Sequence, residues 1–285
     1  MLATRALSFS YQDQPILKDL TLDFSRYQVT GIIGANGCGK STLLMTLSGI
    51  LRPQQGAVWW DHARLDYSKK GLMALRQRVV TVFQDPDQQI FYTDIESDLA
   101  FSLRNLGVDE AEIQRRIEYA LTLVDAHPFR NKPIQYLSFG QKKRVAIAGA
   151  LVMDFDYLLL DEPTAGLDPA GRRQMLDIIG MIAAKGKRIV ISSHDIDLIY
   201  QICGGVYVLA DGQMISSGKP EVVLRQKTQL EQAGLTQPWL VKVHCEAGLP
   251  LCKTEQELFT VLRRNFYGIG ENNNDIIVDD SGNGV

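Results

Sequence analysis

The sequence lacks a long hydrophobic run, because its longest nearly unbroken apolar stretch extends only from Val145 to Met153. A transmembrane helix needs roughly 18 or more apolar residues, so we expect that this chain does not cross a bilayer by itself. The first residues, MLATRALSFSYQ, lack the charged-then-apolar pattern of a secretory signal. The 4 cysteines are scattered and predict no disulfide framework. These absences predict a protein located in the cytoplasm.

An excess of basic residues is also missing. The chain has 30 Lys and Arg residues against 33 Asp and Glu residues, and its formal net charge is −3. Nucleic-acid-binding surfaces are usually basic, so nucleic acid is not an expected partner. Of the 285 residues, 45% are hydrophobic, which is the balance of a globular protein with a substantial core.

Short β-rich runs alternate with helical patterns along most of the chain, which predicts an α/β fold with a mainly parallel sheet. Buried central strands are expected at Tyr157–Leu160 and Arg188–Ser192, because these runs are apolar on both faces. Further strands of this sheet are predicted at Val29–Ile33, Val79–Phe83 and Val206–Ala210.

Other regions depart from this alternation. The opening runs Thr4–Tyr11 and Ile16–Ser25 flank a turn and predict an antiparallel β subdomain. A wholly helical pattern from Ile95 to Asp125 predicts a helical insert, placed at about residues 90–155 of a main domain at residues 1–225. We expect a small C-terminal extension at residues 226–270, followed by a flexible polar tail at residues 271–285.

A glycine-rich loop joins the predicted strand Val29–Ile33 to a helical pattern, and its residues 34–41, GANGCGKS, fit the phosphate-binding pattern G-x-x-x-x-G-K-[ST]. Such glycines let backbone N–H groups surround phosphate oxygens at a helix N-terminus. Lys40 is expected to reach the β- and γ-phosphates, and Ser41 to ligate Mg²⁺. An ordinary glycine-rich turn is the alternative, and the match of both flanks argues against it. The predicted nucleotide-binding residues of this loop are Gly34, Asn36, Gly37, Cys38, Gly39, Lys40, Ser41 and Thr42.

Two adjacent acids, Asp161 and Glu162, follow the predicted strand Tyr157–Leu160. Asp161 is placed to hold Mg²⁺ indirectly, behind the direct ligands of the ion. Glu162 is placed to polarise the water that attacks the γ-phosphate, as a general base or orienting group. An acidic pair after a strand is often only a helix-capping turn. The phosphate-binding loop and the hydrophobic strand favour the catalytic interpretation.

The segment Leu137–Gln141, LSFGQ, is followed at once by a helical pattern and resembles the signature motif of ATP-binding-cassette (ABC) ATPases. Together with the phosphate-binding loop, the acidic pair, Thr164–Asp168 and Ser193–Asp195, it is similar to that family in order and spacing from about Leu2 to Leu224. The resemblance implies that residues 1–225 are an ABC nucleotide-binding domain with ATP and Mg²⁺ as its cofactors.

The resemblance also implies a homodimer that sandwiches two ATP molecules, each between the phosphate-binding loop of one protomer and the signature of the other. Ser138 and the N–H groups after it cap a helix, so the signature is a second anion site on physical grounds. In the family's roles, Tyr11 stacks on adenine, Gln84 contacts Mg²⁺ and the attacking water, and His194 senses the γ-phosphate. The remaining residues implied at the ATP interface are Ser138, Gly140, Gln141 and Asp168. Taken alone, Tyr11 would be a half-buried strand aromatic, and His194 a strand-end cap or a surface residue.

Several residues lie outside the usual pattern. Phe139 stands where the family's signature has its first glycine. Cys38 lies beside Lys40 and a helix N-terminus, which predicts a thiolate that is readily alkylated. The alternative for Cys38 is a packing residue with no role in chemistry. A metal site at His244, Cys245 and Cys252 is the weaker alternative to a packed strand and turn with buried thiols, because the spacing is irregular and a fourth ligand is not obvious.

Within the ABC family, residues Phe83–Phe91 look like the Gln-loop of energy-coupling-factor importers, and Gly234–Val241 is similar to the ATPase subunits of cobalt importers in that group. The resemblance implies an ATPase at the cytoplasmic face of the membrane, bound to integral-membrane coupling and substrate-binding subunits. A helix of those subunits would dock beside the Gln84 loop, near Phe91 and Tyr92. Import of nickel or a vitamin, and a soluble ABC ATPase with no role in transport, remain the alternatives.

Overall fold

Two sheets organise the larger part of the chain in this computed structural model, which describes residues 1–267. Their strands are β1 (Leu2–Tyr11), β2 (Gln14–Asp23), β3 (Val29–Ile33), β4 (Gln55–Trp60), β5 (Ala63–Arg64), β6 (Val79–Val82), β7 (Tyr157–Asp161), β8 (Arg188–Ser193), β9 (Gly205–Ala210) and β10 (Gln213–Gly218). The smaller sheet is antiparallel, in the order β2-β1-β4-β5. The larger sheet has the order β10-β9-β3-β8-β7-β6, with only the β10–β9 pair antiparallel.

The described helices connect and cover these strands. They are α1 (Lys40–Leu47), α2 (Lys69–Arg78), α3 (Ile95–Asn105), α4 (Glu110–Leu123), α5 (Phe139–Leu151), α6 (Pro169–Ala184), α7 (Ile196–Ile202), α8 (Pro220–Val223), α9 (Lys227–Gln232), α10 (Trp239–Ala247) and α11 (Glu255–Tyr267). Several begin at a side chain that caps the helix: Asp94 accepts from the N–H of Ser97 at α3, and Asp109 from that of Ala111 at α4. None of the described helices is both long and apolar enough to cross a membrane.

The central strands β3, β7 and β8 determine where chemistry can occur. All residues of β3 and β7 are buried. The parallel register pairs Ile33 of β3 with Ser193 of β8, and Asp161 of β7 with Ser192 of β8. The three strands therefore end at one edge of the sheet, where ligands bind in open α/β folds.

The predicted α/β class with its mainly parallel sheet and antiparallel β subdomain is confirmed. The predicted strand Val29–Ile33 coincides with β3, and the others differ at their ends by a few residues. Strands β4, β5 and β10 and helix α2 were not predicted. The short β5 has two residues and pairs only with the end of β4, so it carries almost no periodic signal.

The end of the main unit lies beyond the predicted boundary at residue 225, because the chain divides into units at Met1–Pro238 and Trp239–Val285. The segment between residues 226 and 238 packs on the main unit through the buried side chains of Leu230 and Ala233. The N–H of Ala35, in the glycine-rich loop, donates to the carbonyl of Ala233 at 3.0 Å. The predicted tail at residues 271–285 lies outside the described residues.

The first testable prediction concerns this late segment of the main unit. Leu230 is only 1% exposed, so Leu230→Ala removes buried apolar contacts and leaves a cavity. We expect the free energy of unfolding to fall by about 2–5 kcal/mol, measured by urea denaturation.

The control is Val222→Ala, at a side chain of α8 that is 60% exposed, which should change the unfolding free energy by less than about 0.5 kcal/mol. Equal effects of the two substitutions would show that residues 226–238 do not belong to the main unit.

Candidate functional site

The glycine-rich loop, residues 34–41, connects β3 to α1. Gly39 caps α1 with a φ of 108°, a left-handed conformation that favours glycine. A Cβ atom at Gly39 would lie 2.7 Å from Cδ2 of Leu17, so space as well as backbone conformation restricts this position. The loop thereby keeps the backbone N–H groups at the start of α1 open to an anion.

Lys40 is the one long cation of this loop, and its side chain is nearly buried at 6% exposure. Its Nζ donates to the carbonyl of Gly34 at 2.8 Å and to that of Ala35 at 3.2 Å. The same Nζ lies 3.9 Å from Oε1 of Glu162. A positive charge is thus held beside the loop without being exposed to bulk water.

Glu162 follows β7, and its carboxylate is held from several directions. Oε1 accepts from the backbone N–H of His194 at 3.0 Å and lies 2.9 Å from Nδ1 of the same residue. Oε2 accepts from Oγ of Ser193 at 3.3 Å. Because His194 and Ser193 stand at the end of β8, the register of the central strands brings the predicted acid and the predicted histidine together.

Asp161 is the last residue of β7 and is buried. Its Oδ1 accepts a hydrogen bond from Oγ of Ser192 on β8. Burial of a carboxylate is costly without such a partner. A buried carboxylate directly before Glu162 on the chain is compatible with the predicted indirect role toward a metal ion.

A cavity of about 490 Å³, here called the phosphate-loop cavity, unites most of the predicted residues. It lies within the size range of small-molecule sites. The lining residues are Ile16, Asn36, Gly37, Gly39, Lys40, Ser41, Thr42, Gln84, Glu162 and His194. Ile16 was not predicted, since an apolar side chain on a strand carries no signal for a ligand. Eight predicted residues are not among the residues that line this cavity: Tyr11, Gly34, Cys38, Asp161, Ser138, Gly140, Gln141 and Asp168.

The predicted adenine contact, Tyr11, lies at the end of β1 and is 45% exposed. Its ring meets the ring of Phe9 edge-on, with centroids 4.9 Å apart. Tyr11 is therefore partly buried against Phe9, as the alternative predicts. It also keeps an accessible ring surface, as the adenine contact requires.

The structure does not favour the predicted thiolate at Cys38. The side chain is buried in the hydrophobic core, and a Cβ atom at Gly34 would lie 2.6 Å from its Sγ. Desolvation by this burial raises the pKa of the Cys38 thiol, and the nearby charge of Lys40 only partly opposes it. Cys38 does lie just before a helix N-terminus, as predicted. Burial of its sulfur nevertheless raises the pKa of the thiol more than its surroundings lower it.

The signature segment, residues 137–141, begins α5 with the cap that its sequence predicts. Oγ of Ser138 accepts from the N–H of Gln141 at 3.3 Å, and Oε1 of Gln141 accepts from the N–H of Ser138 at 3.0 Å. Asp168 caps α6 through a single hydrogen bond, which it accepts from the N–H of Gly171 at 2.7 Å.

These residues line a second cavity of about 840 Å³, here called the signature cavity. Its lining includes Ser138, Phe139, Gly140, Gln141 and Asp168. None of its lining residues also lines the phosphate-loop cavity. The sites predicted at the two loops are therefore separate within one chain.

A residue that the sequence did not single out, Lys143, connects α5 to the Glu162 loop, residues 162–168. Its Nζ donates to the carbonyls of Glu162 and Ala165 at 2.8 Å each, and to that of Pro163 at 3.1 Å. Burial lowers the pKa of Lys143 to about 8. A lysine one turn into a helix gives no sign in the sequence of such a partner.

In the second unit, described by itself, His244 and Cys245 belong to α10 rather than to the expected packed strand. Nδ1 of His244 lies 2.7 Å from the carbonyl oxygen of Leu249. Cys245 is exposed whereas Cys252 is buried. Among the residues that the structure describes, three or more metal-ligating side chains are nowhere grouped to hold an ion.

Comparisons with known proteins agree with the motifs. A family model described as ABC transporter matches residues 17–165. The cobalt import ATP-binding protein CbiO of Salmonella paratyphi A is 68% identical over 91% of this chain and 96% of the relative. The energy-coupling factor transporter ATP-binding protein EcfA2 of Clostridium perfringens is 41% identical over 84% of each chain. The solved structure of CbiO1 from Clostridium perfringens, described as part of the complex cbiONQ, has a TM-score of 0.74 and 38% identity over 87% of this chain and 95% of that one.

The buried thiol generates the second prediction. Because Cys38 is buried with a raised pKa and Cys245 is exposed, N-ethylmaleimide at neutral pH should modify Cys245 more than about tenfold faster than Cys38. Peptide mass spectrometry over a time course measures the two rates.

A Cys245→Ser variant serves as the control and should lose the fast reaction while Cys38 stays largely unmodified. Rapid labelling of Cys38 in the folded protein would contradict its burial.

Proposed function

The chain belongs to the ABC transporter family, and we propose that it is the ATP-hydrolysing subunit that energises a membrane importer for Co²⁺ of the energy-coupling-factor type. The joint lining of one cavity by Lys40, Glu162 and His194 carries the hydrolytic part of this conclusion. The substrate follows from the identity of 68% to a cobalt import protein over 96% of that relative.

The geometry supports a different role for each of these residues around the γ-phosphate of ATP. The N–H groups at the start of α1 and the ammonium of Lys40 would neutralise the phosphate oxygens. Glu162 would orient the attacking water and accept its proton, since its carboxylate lines the cavity. Nδ1 of His194 lies 2.9 Å from the same carboxylate, so His194 would contact both the γ-phosphate and Glu162.

Mg²⁺ fits the residues that are present, because Ser41 and Gln84, whose side chains carry oxygen donors, both line the phosphate-loop cavity. Mg²⁺ usually keeps several waters and phosphate oxygens, so two protein ligands are sufficient. When bound, the ion would neutralise charge on the phosphates. Asp161 accepts a hydrogen bond from Ser192 and does not line the cavity, so it would hold the ion indirectly and not as a direct ligand.

We further propose a homodimer. The capped N-terminus of α5 at Ser138 is an anion site, yet its cavity shares no lining residue with the phosphate-loop cavity. A dimer could bring the signature of one chain to the phosphate-loop cavity of the other, so that one γ-phosphate bridges the two sites. Gly140 and Gln141 would then face the partner's ATP, Asp168 would line the protomer contact, and Tyr11 would stack on adenine with its accessible side.

Exposed aromatic side chains after the Gln84 loop support a docking surface for a helix of a membrane subunit. Phe91 is 77% exposed, and the ring of Tyr92 lies 5.7 Å from that of Phe101. Asp98 fixes this turn by accepting from the N–H groups of Phe91 and Tyr92 at 2.8 and 3.1 Å. Docking would hold the protein at the cytoplasmic face of the membrane. CbiO1, the relative of known structure, is described as part of a transporter complex.

The third prediction separates binding from chemistry. Glu162→Gln should keep ATP affinity but lower hydrolysis by about 10²- to 10⁴-fold, because the amide cannot accept a proton. ATP with Mg²⁺ should then trap the variant as a dimer. A phosphate-release assay and size-exclusion chromatography measure the two effects.

Lys40→Ala is the contrasting variant and should lose ATP binding itself, since it removes the charge beside the phosphates. Normal hydrolysis by Glu162→Gln would remove Glu162 from the chemistry.

The fourth prediction tests transport. The double variant Phe91→Glu, Tyr92→Glu should abolish Co²⁺ uptake while basal hydrolysis stays nearly unchanged, because neither residue lines the phosphate-loop cavity. Radiolabelled Co²⁺ uptake is measured in cells that lack their own ATPase and carry the wild-type protein or a variant with its membrane subunits.

Met73→Glu, at an exposed apolar residue of α2, is the matched control and should transport normally. A fall in melting temperature of the double variant would instead indicate core packing. If the wild-type protein restores no Co²⁺ uptake, the substrate is wrong and nickel or a vitamin takes its place.

A further inference from the structure

Lys143 lies in α5, two residues after the signature segment, and its ammonium is enclosed by the Glu162 loop. The residue is 3% exposed. An ammonium has three donors, and three carbonyls lie within 2.8–3.1 Å of this Nζ, those of Glu162, Pro163 and Ala165. The ion therefore replaces its lost water with contacts to the backbone of a single loop.

The backbone of that loop needs such support. Glu162 has a φ of 46°, in the left-handed region that a residue with a side chain rarely adopts. Such a conformation persists only where the surroundings impose it. Here the carbonyl of Glu162 accepts from Lys143 and from the N–H of Ala165, the latter at 3.1 Å. The N–H of Glu162 donates to the carbonyl of Ser192 at 3.0 Å.

Phe139 covers this arrangement from the signature segment. The Nζ of Lys143 lies 5.3 Å from the centroid of its ring. A Cβ atom at Gly166 would lie 2.9 Å from Cε1 of Phe139, so the ring packs directly on the loop at that glycine. The phenyl group shields the ammonium and its carbonyls from water, which strengthens hydrogen bonds in a low dielectric.

We propose that Lys143 is a positioning residue for ATP hydrolysis: its ammonium holds the backbone of the Glu162 loop so that the Glu162 carboxylate is aimed into the phosphate-loop cavity. Lys143 itself does not line that cavity. The proposal rests on the proposed function, because it needs Glu162 to act on the attacking water. The direction of the carboxylate follows from the backbone at Glu162, and a displacement of about 1 Å at such a group costs about 100-fold in rate.

The protonation state of Lys143 gives this role a measurable signature. Burial lowers its pKa to about 8, and the charges of Glu162, Asp161 and Asp85 oppose that shift. As the pH rises through 8, the neutral amine keeps two donors for three carbonyls. The rate of hydrolysis at saturating ATP should therefore fall above this pH while ATP affinity stays constant.

The test compares Lys143→Met, which keeps the length of the side chain without donors, with Lys187→Met. Lys187 also donates to a backbone carbonyl, that of Phe155 at 2.6 Å, but lines neither the phosphate-loop nor the signature cavity. We expect Lys143→Met to lower kcat for ATP hydrolysis by about 10- to 100-fold and change the Kd for ATP by less than about twofold. Lys187→Met should match the wild-type protein.

A combination with Glu162→Gln distinguishes this proposal from the one on which it rests. If Lys143 acts through Glu162, Lys143→Met should cause no further loss of hydrolysis in the Glu162→Gln background. An equal loss in both backgrounds, or a parallel loss of ATP affinity, would overturn the positioning role. Full activity of Glu162→Gln alone would instead refute the proposed chemistry.

Lys143→Arg keeps a charged donor at every accessible pH and covers the case in which the methionine variant does not fold. We expect it to keep at least about a tenth of the wild-type kcat and to lose the decline above pH 8. The wild-type profile is itself decisive: constant kcat from pH 7 to 9.5, or an unchanged decline in Lys143→Arg, would refute the role of the ammonium.

Discussion

The site depends on the in-register parallel pairing of β3, β8 and β7. This register sets Ile33 beside Ser193 and Asp161 beside Ser192, so the loops that leave the three strands begin at the same height. A shift by one residue would turn each buried side chain to the opposite face of the sheet. Every charged contact at the phosphate-loop cavity follows from this alignment, because Lys40, Glu162 and His194 belong to three different connections.

The alignment brings several polar groups out of water, which is costly unless each finds a partner. The structure provides those partners mainly from its own backbone. Lys40 and Lys143 each donate to main-chain carbonyls, and Glu162 accepts from the N–H of His194. Backbone partners are fixed by the fold, and polar side chains at the end of β8 supply the rest, since Ser192 donates to Asp161 and Ser193 to Glu162. The backbone of Glu162 is strained in this arrangement, since its φ lies in the left-handed region.

Motifs with fixed spacing were recognisable because their chemistry needs particular residues at particular places. The loop around Lys40 and the pair at Glu162 are of this kind, and the structure brings them together. Lys143 could not be found from the sequence, since its partners are carbonyls that every residue possesses. The thiolate predicted at Cys38 did not take burial into account, since burial depends on what packs against the loop. The second unit was also misjudged, because the short run around His244 supports strand and helix about equally.

The separation of the two cavities has a genetic consequence for the proposed dimer. Each composite site would take its glycine-rich loop from one subunit and its capped signature helix from the other. A chain damaged only at Lys40 could still lend an intact Ser138, and a chain damaged only at Ser138 could still lend an intact Lys40. Two inactive alleles of these kinds, expressed in one cell, would therefore assemble some mixed dimers with one complete site, so that the defects would complement each other instead of adding.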